Sequence, residues 1–231
     1  MRIMRRCAAV SVFFLATGMA LVPTVAGALP AGATRSTTNA GYGFSVAPTS
    51  TVTTTLTVPT LTCTSTDEAI GPYVSLEDAS DQYSYPWLVA ECVSGTPVYL
   101  GNLTLNGLNS VLGNPVSSGD VIHLSVSMSP TATKVTFADA TTGISASEMG
   151  PGASAAVGFV GVGPIYGSGQ TLEGVPTFGR LAFAGVRVGT QTLAATNPTR
   201  YNRVATGDVV QISTGPVAAS GTSFSLNFKH S

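Results

Sequence analysis

The stretch T-V-T-T-T-L-T-V-P-T-L-T-C, Thr51 to Cys63, alternates with a period of two. Val52, Leu56 and Val58 share the even positions, and threonine fills most of the odd ones. That is the pattern of a half-buried β-strand, and β-branched threonine suits it. Pro59 has no N–H to give a ladder, so the strand bulges or reaches an edge there. Further runs of the same kind are Phe44–Val46, Tyr73–Leu76, Tyr83–Cys92, Val98–Leu105, Val121–Met128, Ala155–Val162, Leu181–Val188, Val209–Ile212 and Phe224–Phe228. Val135–Phe137 and Ile144–Ala146 form a hairpin, and Phe44–Val46 is expected to pair with Val52–Leu61. Gly107–Gly119 is read as a long connection ending in a tight turn at Ser117–Asp120. No convincing helical stretch and no repeat of fixed period is present, so the chain is expected to be an all-β sandwich or barrel.

The first 28 residues read as a signal peptide. Arg2, Arg5 and Arg6 precede an almost uncharged apolar run from Cys7 to Val25, and Ala26-Gly27-Ala28 is an A-x-A cleavage site. A membrane anchor is the other reading of this run; Pro23 and the cleavage site at its end favour removal, with no stable membrane insertion afterwards. Met4-Arg5-Arg6 before Cys7 is not a lipid-attachment motif. Residues 29–40 are small and polar and read as a flexible leader, and 41–231 as a single domain. The expected location is therefore extracellular.

The chain carries ten Lys and Arg against eleven Asp and Glu, and three of the arginines leave with the signal segment. A mildly acidic surface excludes nucleic acid as a partner, which needs a dense basic footprint. Charged residues are only 9% of the chain, against an average of about 25%. Thr, Ser, Gly, Ala and Val dominate instead, the composition of a secreted β domain with a hydroxyl-rich surface.

Cys63 and Cys92 remain after cleavage, in a compartment where disulfides persist, and are expected to be bonded. Two lone cysteines with no histidine between them do not make a metal site, and the chain has two histidines, His123 and His230. No metal or cofactor is expected. His123 lies on the polar face of its strand and reads as solvated. No G-x-S-x-G elbow is present, and no helix follows Gly158, Gly161 and Gly163 to make a phosphate loop. Carboxylates are the remaining chemistry: Asp67, Glu68, Glu77, Asp78, Asp81 and Glu91 flank the two cysteines, as a solvated rim or a working pair. Tyr73, Tyr85 and Trp87, with Tyr83, are candidates to line a binding groove.

Four segments resemble the glutamic peptidase (eqolisin) family of secreted acid proteases from fungi and bacteria. They are Val58-Pro59-Thr60-Leu61-Thr62-Cys63, Tyr73-Val74-Ser75-Leu76-Glu77-Asp78, Val116-Ser117-Ser118-Gly119-Asp120-Val121-Ile122, and Val175-Pro176-Thr177-Phe178-Gly179 with Phe183 beyond it. The resemblance implies an antiparallel β-sandwich of the concanavalin A-like jelly-roll kind. It also implies a cleft in which a glutamate activates water with help from a glutamine. The glutamine's place falls at Tyr85 or Pro86, three residues from Gln82, a slip that reverses the face of the strand. The glutamate's place falls at Val157, and Asn102-Leu103-Thr104 occupies the region of the family's W-Y-E motif. A valine neither titrates nor activates water. Three readings follow: an inactive glutamic-peptidase-like protein binding a peptide, glycan or surface partner; an acid endopeptidase with relocated carboxylates such as Glu77 or Glu91; and a structural or adhesive surface module.

Overall fold

The computed structural model describes residues 32–65, 68–166 and 173–230. The signal segment and Asp67 lie outside them. The described residues form sixteen strands: β1 (Ala33–Ser36), β2 (Ala40–Ser45), β3 (Ser50–Thr57), β4 (Ala69–Asp78), β5 (Tyr83–Val93), β6 (Thr96–Leu105), β7 (Leu108–Pro115) and β8 (Val121–Met128) in the first half. The second half holds β9 (Ala132–Asp139), β10 (Ile144–Pro151), β11 (Ala155–Gly163), β12 (Arg180–Val188), β13 (Gln191–Thr192), β14 (Thr199–Val204), β15 (Val210–Thr214) and β16 (Phe224–Phe228). A 3₁₀ turn, Leu193–Thr196, is capped by the Thr192 hydroxyl.

Hydrogen bonding joins fourteen strands in the order β10-β9-β8-β3-β12-β16-β15-β14-β2-β11-β4-β5-β6-β7, with β1 beside β14 and β13 beside β12. The path folds back on itself. β9 packs over β5 and β6, β8 over β4 and β5, and β3 over β4 and β11. The result is an antiparallel β-sandwich of jelly-roll type, with β1 the one parallel neighbour in its ladder with β14.

The alternation of Thr51–Cys63 explains how one layer faces the core. Val52, Thr54 and Leu56 are buried, as are Ile122, Leu124, Val126 and Met128 on β8 and Val135 and Phe137 on β9. They meet Val74, Leu76, Leu88 and Leu103 from the facing layer. Phe183 stacks on Phe224 at 4.9 Å, and Tyr42 meets Phe224 edge-on, which closes the core where the path turns over. The Ser117–Asp120 turn forms as read: the Ser117 amide donates to Asp120 Oδ2, and Gly119 takes a positive φ of 93°.

Four sequence expectations are corrected. Phe44–Val46 does not pair with Val52–Leu61: β2 lies between β14 and β11, while β3 lies between β8 and β12 in the other layer. Four residues connect them, enough to cross between layers. Gly107–Gly119 is not a plain connection, because Leu108–Pro115 turns back as β7 against β6. Part of the expected leader is ordered, since Ala33–Ser36 pairs with Arg200–Arg203. Strand β4 is also longer than Tyr73–Leu76 and carries Glu77 and Asp78 within it.

Cys63 and Cys92 form a disulfide across 29 residues. It ties the loop after β3 to the end of β5. The Cys92 amide donates to the Glu68 carbonyl at 2.9 Å, and the buried Glu68 carboxylate accepts from the Thr64 amide and hydroxyl. Burial alone would raise the Glu68 pKa, but these bonds and one from the Ser65 amide outweigh it and lower it. A Cys63→Ser/Cys92→Ser double variant should lose about 3 kcal/mol in urea unfolding, the cost of freeing a loop of this size in the denatured chain.

Candidate functional site

Cross-strand register places functional side chains in rows, because antiparallel partners point to the same face. On the outer face of β2, β11, β4 and β5, the first row is Tyr83–Glu77–Val157–Ser45. The second is Ser75–Phe159–Gly43–Thr199. The third is Trp87–Tyr73–Gly161–Gly41–Tyr201. Together these strands form one wall of an open cleft of about 680 Å³, which Ser36, Asn39 and Asn197 complete.

The floor depends on two glycines that face each other. A Cβ on Gly161 would lie 2.1 Å from the Ala40 carbonyl oxygen, and one on Gly41 would lie 2.2 Å from that of Val160. Close approach of β2 and β11 is possible because neither carries a side chain. The Phe159 ring occupies the space this leaves, stacked on Tyr73 at 5.2 Å and tilted against Tyr201 at 6.3 Å.

Among the described residues lining the cleft, Glu77 is the charged one. It is half-buried at the end of β4, with Val157 opposite on one neighbouring strand and Tyr83 on the other. Burial raises its pKa, and the charge of Asp81, a hydrogen bond with that side chain and the charge of Asp78 raise it further. Asp81 closes the turn after β4 with φ at 63°, its amide 3.3 Å from the Asp78 carbonyl oxygen. Asp78 behaves in the opposite way. Burial would raise its pKa, but donation from the Ser80 hydroxyl, the Gln82 amide and the Ser80 amide lowers it.

The other candidates separate. Tyr73, Tyr85 and Trp87 are all buried in a second aromatic cluster with Val89 and Ile165, and of the three Tyr73 borders the cleft. Burial pushes both the Tyr73 and Tyr85 phenols well up, so neither ionises at ordinary pH. Gln82 is exposed in the turn and does not line the cleft. Glu91 lies beyond Trp87, paired with Ala69 at the far end of the β4–β5 ladder. Eight residues separate its row from that of Glu77, about 26 Å at strand rise. Glu77 and Glu91 therefore cannot act on one bond, although burial raises the Glu91 pKa as well. His123 is exposed on the opposite layer, its Nδ1 2.7 Å from the Thr55 hydroxyl. Among the described residues no three His, Cys, Asp or Glu converge on a metal position.

Val157 lines the cleft and is 43% exposed. It stands one strand from Glu77, and Tyr85 stands on the far side of β4. The places that the resemblance assigns to the peptidase pair thus flank β4, about 10 Å apart by strand spacing. Sequence reading missed Phe159, Tyr201 and Asn39 as lining residues. The alternation Gly41-Tyr42-Gly43, set against Gly158-Phe159-Val160-Gly161, was the available signal, since paired glycines mark close backbone approach.

No protein-family model and no curated protein matches this sequence. Solved structures do match the architecture. Scytalido-glutamic peptidase, solved with a peptide-based transition state analogue, superposes with a TM-score of 0.69 at 16% identity. The match covers 84% of this chain and 98% of that one. SCP-B, a member of the eqolisin family solved with the tripeptide Ala-Ile-His, gives a TM-score of 0.68 at 16% identity, with the same coverage. The fold is that of the glutamic peptidases. At this identity the likeness establishes architecture, and the chemistry rests on the side chains of this chain.

Two consequences can be measured. Because the folded state raises the Glu77 pKa, it holds the proton more tightly than the unfolded chain. The resulting penalty is absent below the ordinary glutamate pKa, grows as pH rises through the folded value, and is full above it. Glu77→Gln should therefore be more stable than the wild type at pH 7 and converge on it towards pH 3, read from urea midpoints. Gly161→Ala should cost on the order of 1–3 kcal/mol by forcing β2 from β11, with loss of near-ultraviolet signal from the Phe159–Tyr73–Tyr201 stack.

Proposed function

We propose that this is a secreted protein of glutamic-peptidase fold that binds an extended peptide in its cleft and does not cleave it through the family's residue pair. The observation that carries the reading is Val157, an exposed apolar side chain in the cleft where the resemblance places the water-activating glutamate. At the assisting glutamine's place, Tyr85 or Pro86 by the resemblance, the Tyr85 phenol packs in the aromatic cluster and neither residue lines the cleft. What remains is an aromatic floor, hydroxyl and amide groups from Ser36, Asn39, Ser75 and Thr199, and one carboxyl group. That set suits main-chain recognition and apolar contact. A peptide is favoured over a glycan because the matching structures hold a peptide-based analogue and a tripeptide. Secretion is supported by the signal-like segment 1–28 and the Cys63–Cys92 bridge. The presence of a cleft argues against a purely structural module.

One observation favours the second reading, an acid endopeptidase with a relocated carboxyl group. Glu77 faces Val157 directly across the β4–β11 ladder, one strand from the assigned position. The deciding experiment incubates the mature protein with denatured casein from pH 2 to 7, beside Glu77→Gln and Glu91→Gln. No cleavage is expected, while unfolded casein peptides should bind and lose at least tenfold in affinity when Val157→Trp fills the cleft. Acid cleavage that Glu77→Gln abolishes would replace the first reading with the second. Binding by a glycan array and not by peptides would overturn the choice of ligand.

A further inference from the structure

We infer that the cleft selects peptides carrying a lysine or arginine side chain, which seats against Glu77 beside the ring of Tyr83. The inference rests on the peptide-binding reading and names the side chain that this site prefers.

The charge around the site is one-sided. Glu77 lines the cleft, and Asp78 and Asp81 stand beside it in the same strand end and turn. Among the described residues the ion pair is Arg35–Asp208 at 2.6 Å, and no lysine or arginine is paired with any of the three carboxyl groups. The neighbouring elements contribute no cation either: Tyr83 faces Glu77 from β5, and uncharged Val157 faces it from β11. A half-buried carboxylate surrounded by like charge gains most from a cationic partner, because the partner offsets both the desolvation and the repulsion.

The aromatic groups are placed to hold such a cation. Tyr83 lines the cleft in the same row as Glu77, and the buried Tyr73 borders it four residues away along β4. Tyr83 is its direct cross-strand partner, and Phe159 backs Tyr73 in a stack. A carboxylate with an aromatic ring beside it is the arrangement that receives an ammonium or guanidinium through an ion pair and a cation–π contact, and apolar ring surface covers the methylene stem. Val157 adds a further apolar surface to that stem and nothing that repels the charge.

The test uses fluorescence anisotropy with labelled decapeptides that differ only at a central Lys, Arg, norleucine or Glu, at pH 7 and low salt. The Lys and Arg peptides should bind the wild type at least tenfold more tightly than the norleucine peptide, and the Glu peptide should bind most weakly. Glu77→Gln, shown to be folded by its thermal melt, should bring the Lys and Arg peptides to within threefold of norleucine. The preference should also shrink as pH falls and Glu77 takes up its proton. Equal binding of all four peptides sinks the cation preference and leaves the peptide reading standing. A preference that survives in Glu77→Gln overturns the assignment to this carboxyl group. Absence of binding by any peptide removes the peptide reading itself, and this inference with it.

Discussion

Strand β4 is buried on both faces from Ala69 to Leu76, and much of the molecule follows from that constraint. Its even positions, Ile70, Val74 and Leu76, enter the main core, while Tyr73 on the other face closes the aromatic cluster with Tyr85 and Trp87. A strand held this way cannot carry an ionised group along its middle, because neither face offers water. The first carboxyl group appears where burial eases, at Glu77. On this strand the carboxyl groups therefore sit at its end, Glu77 and Asp78, beside the turn that follows.

The glycine pair at 41 and 161 is the complementary condition. It lets β2 approach β11 closely enough for Phe159 to lie flat over the junction, which gives the cleft an aromatic floor. Wall and floor are thus set by packing, and they persist whatever titratable groups stand on the rows. That separation between scaffold and chemistry allows an architecture to be shared at 16% identity while the side chains on the rows differ. Among the described residues lining the cleft, the chemistry is one carboxyl group, Glu77, with Asp81 hydrogen-bonded to it and Asp78 beside it.

Strands with one wet face were legible in the sequence. β3 and β8 alternate apolar with mostly hydroxylated residues, and their buried positions fall on the even-numbered face that the alternation predicts; in β16 Phe224 and Leu226 are buried and Phe228 is half-buried. The disulfide was legible because only two cysteines remain once the apolar leader is set aside. β7 and β14 were not. Leu108–Pro115 mixes Asn, Ser and Gly with apolar residues at a free edge, and Thr199–Val204 places Arg203 in the interior, so neither shows the expected period. Partner choice was equally hidden, since a four-residue link between β2 and β3 serves a hairpin or a layer crossing equally well, and long-range packing decides between them.

The sequence by itself determined the strand-rich class, the cystine and the absence of an acid at Val157, because each depends on residue identity or on neighbours a few positions away. Only the tertiary structure decided which of the acidic residues matter. Glu77 and Glu91 look equivalent in a list of carboxylates, fourteen positions apart on either side of one turn. The β4–β5 ladder sends one into the cleft and the other about 26 Å along the sheet. It also buries Tyr85 and Trp87, which read as groove residues, and brings up Phe159 and Tyr201 from distant strands. Those outcomes depend on register and on layer packing, which no local pattern encodes.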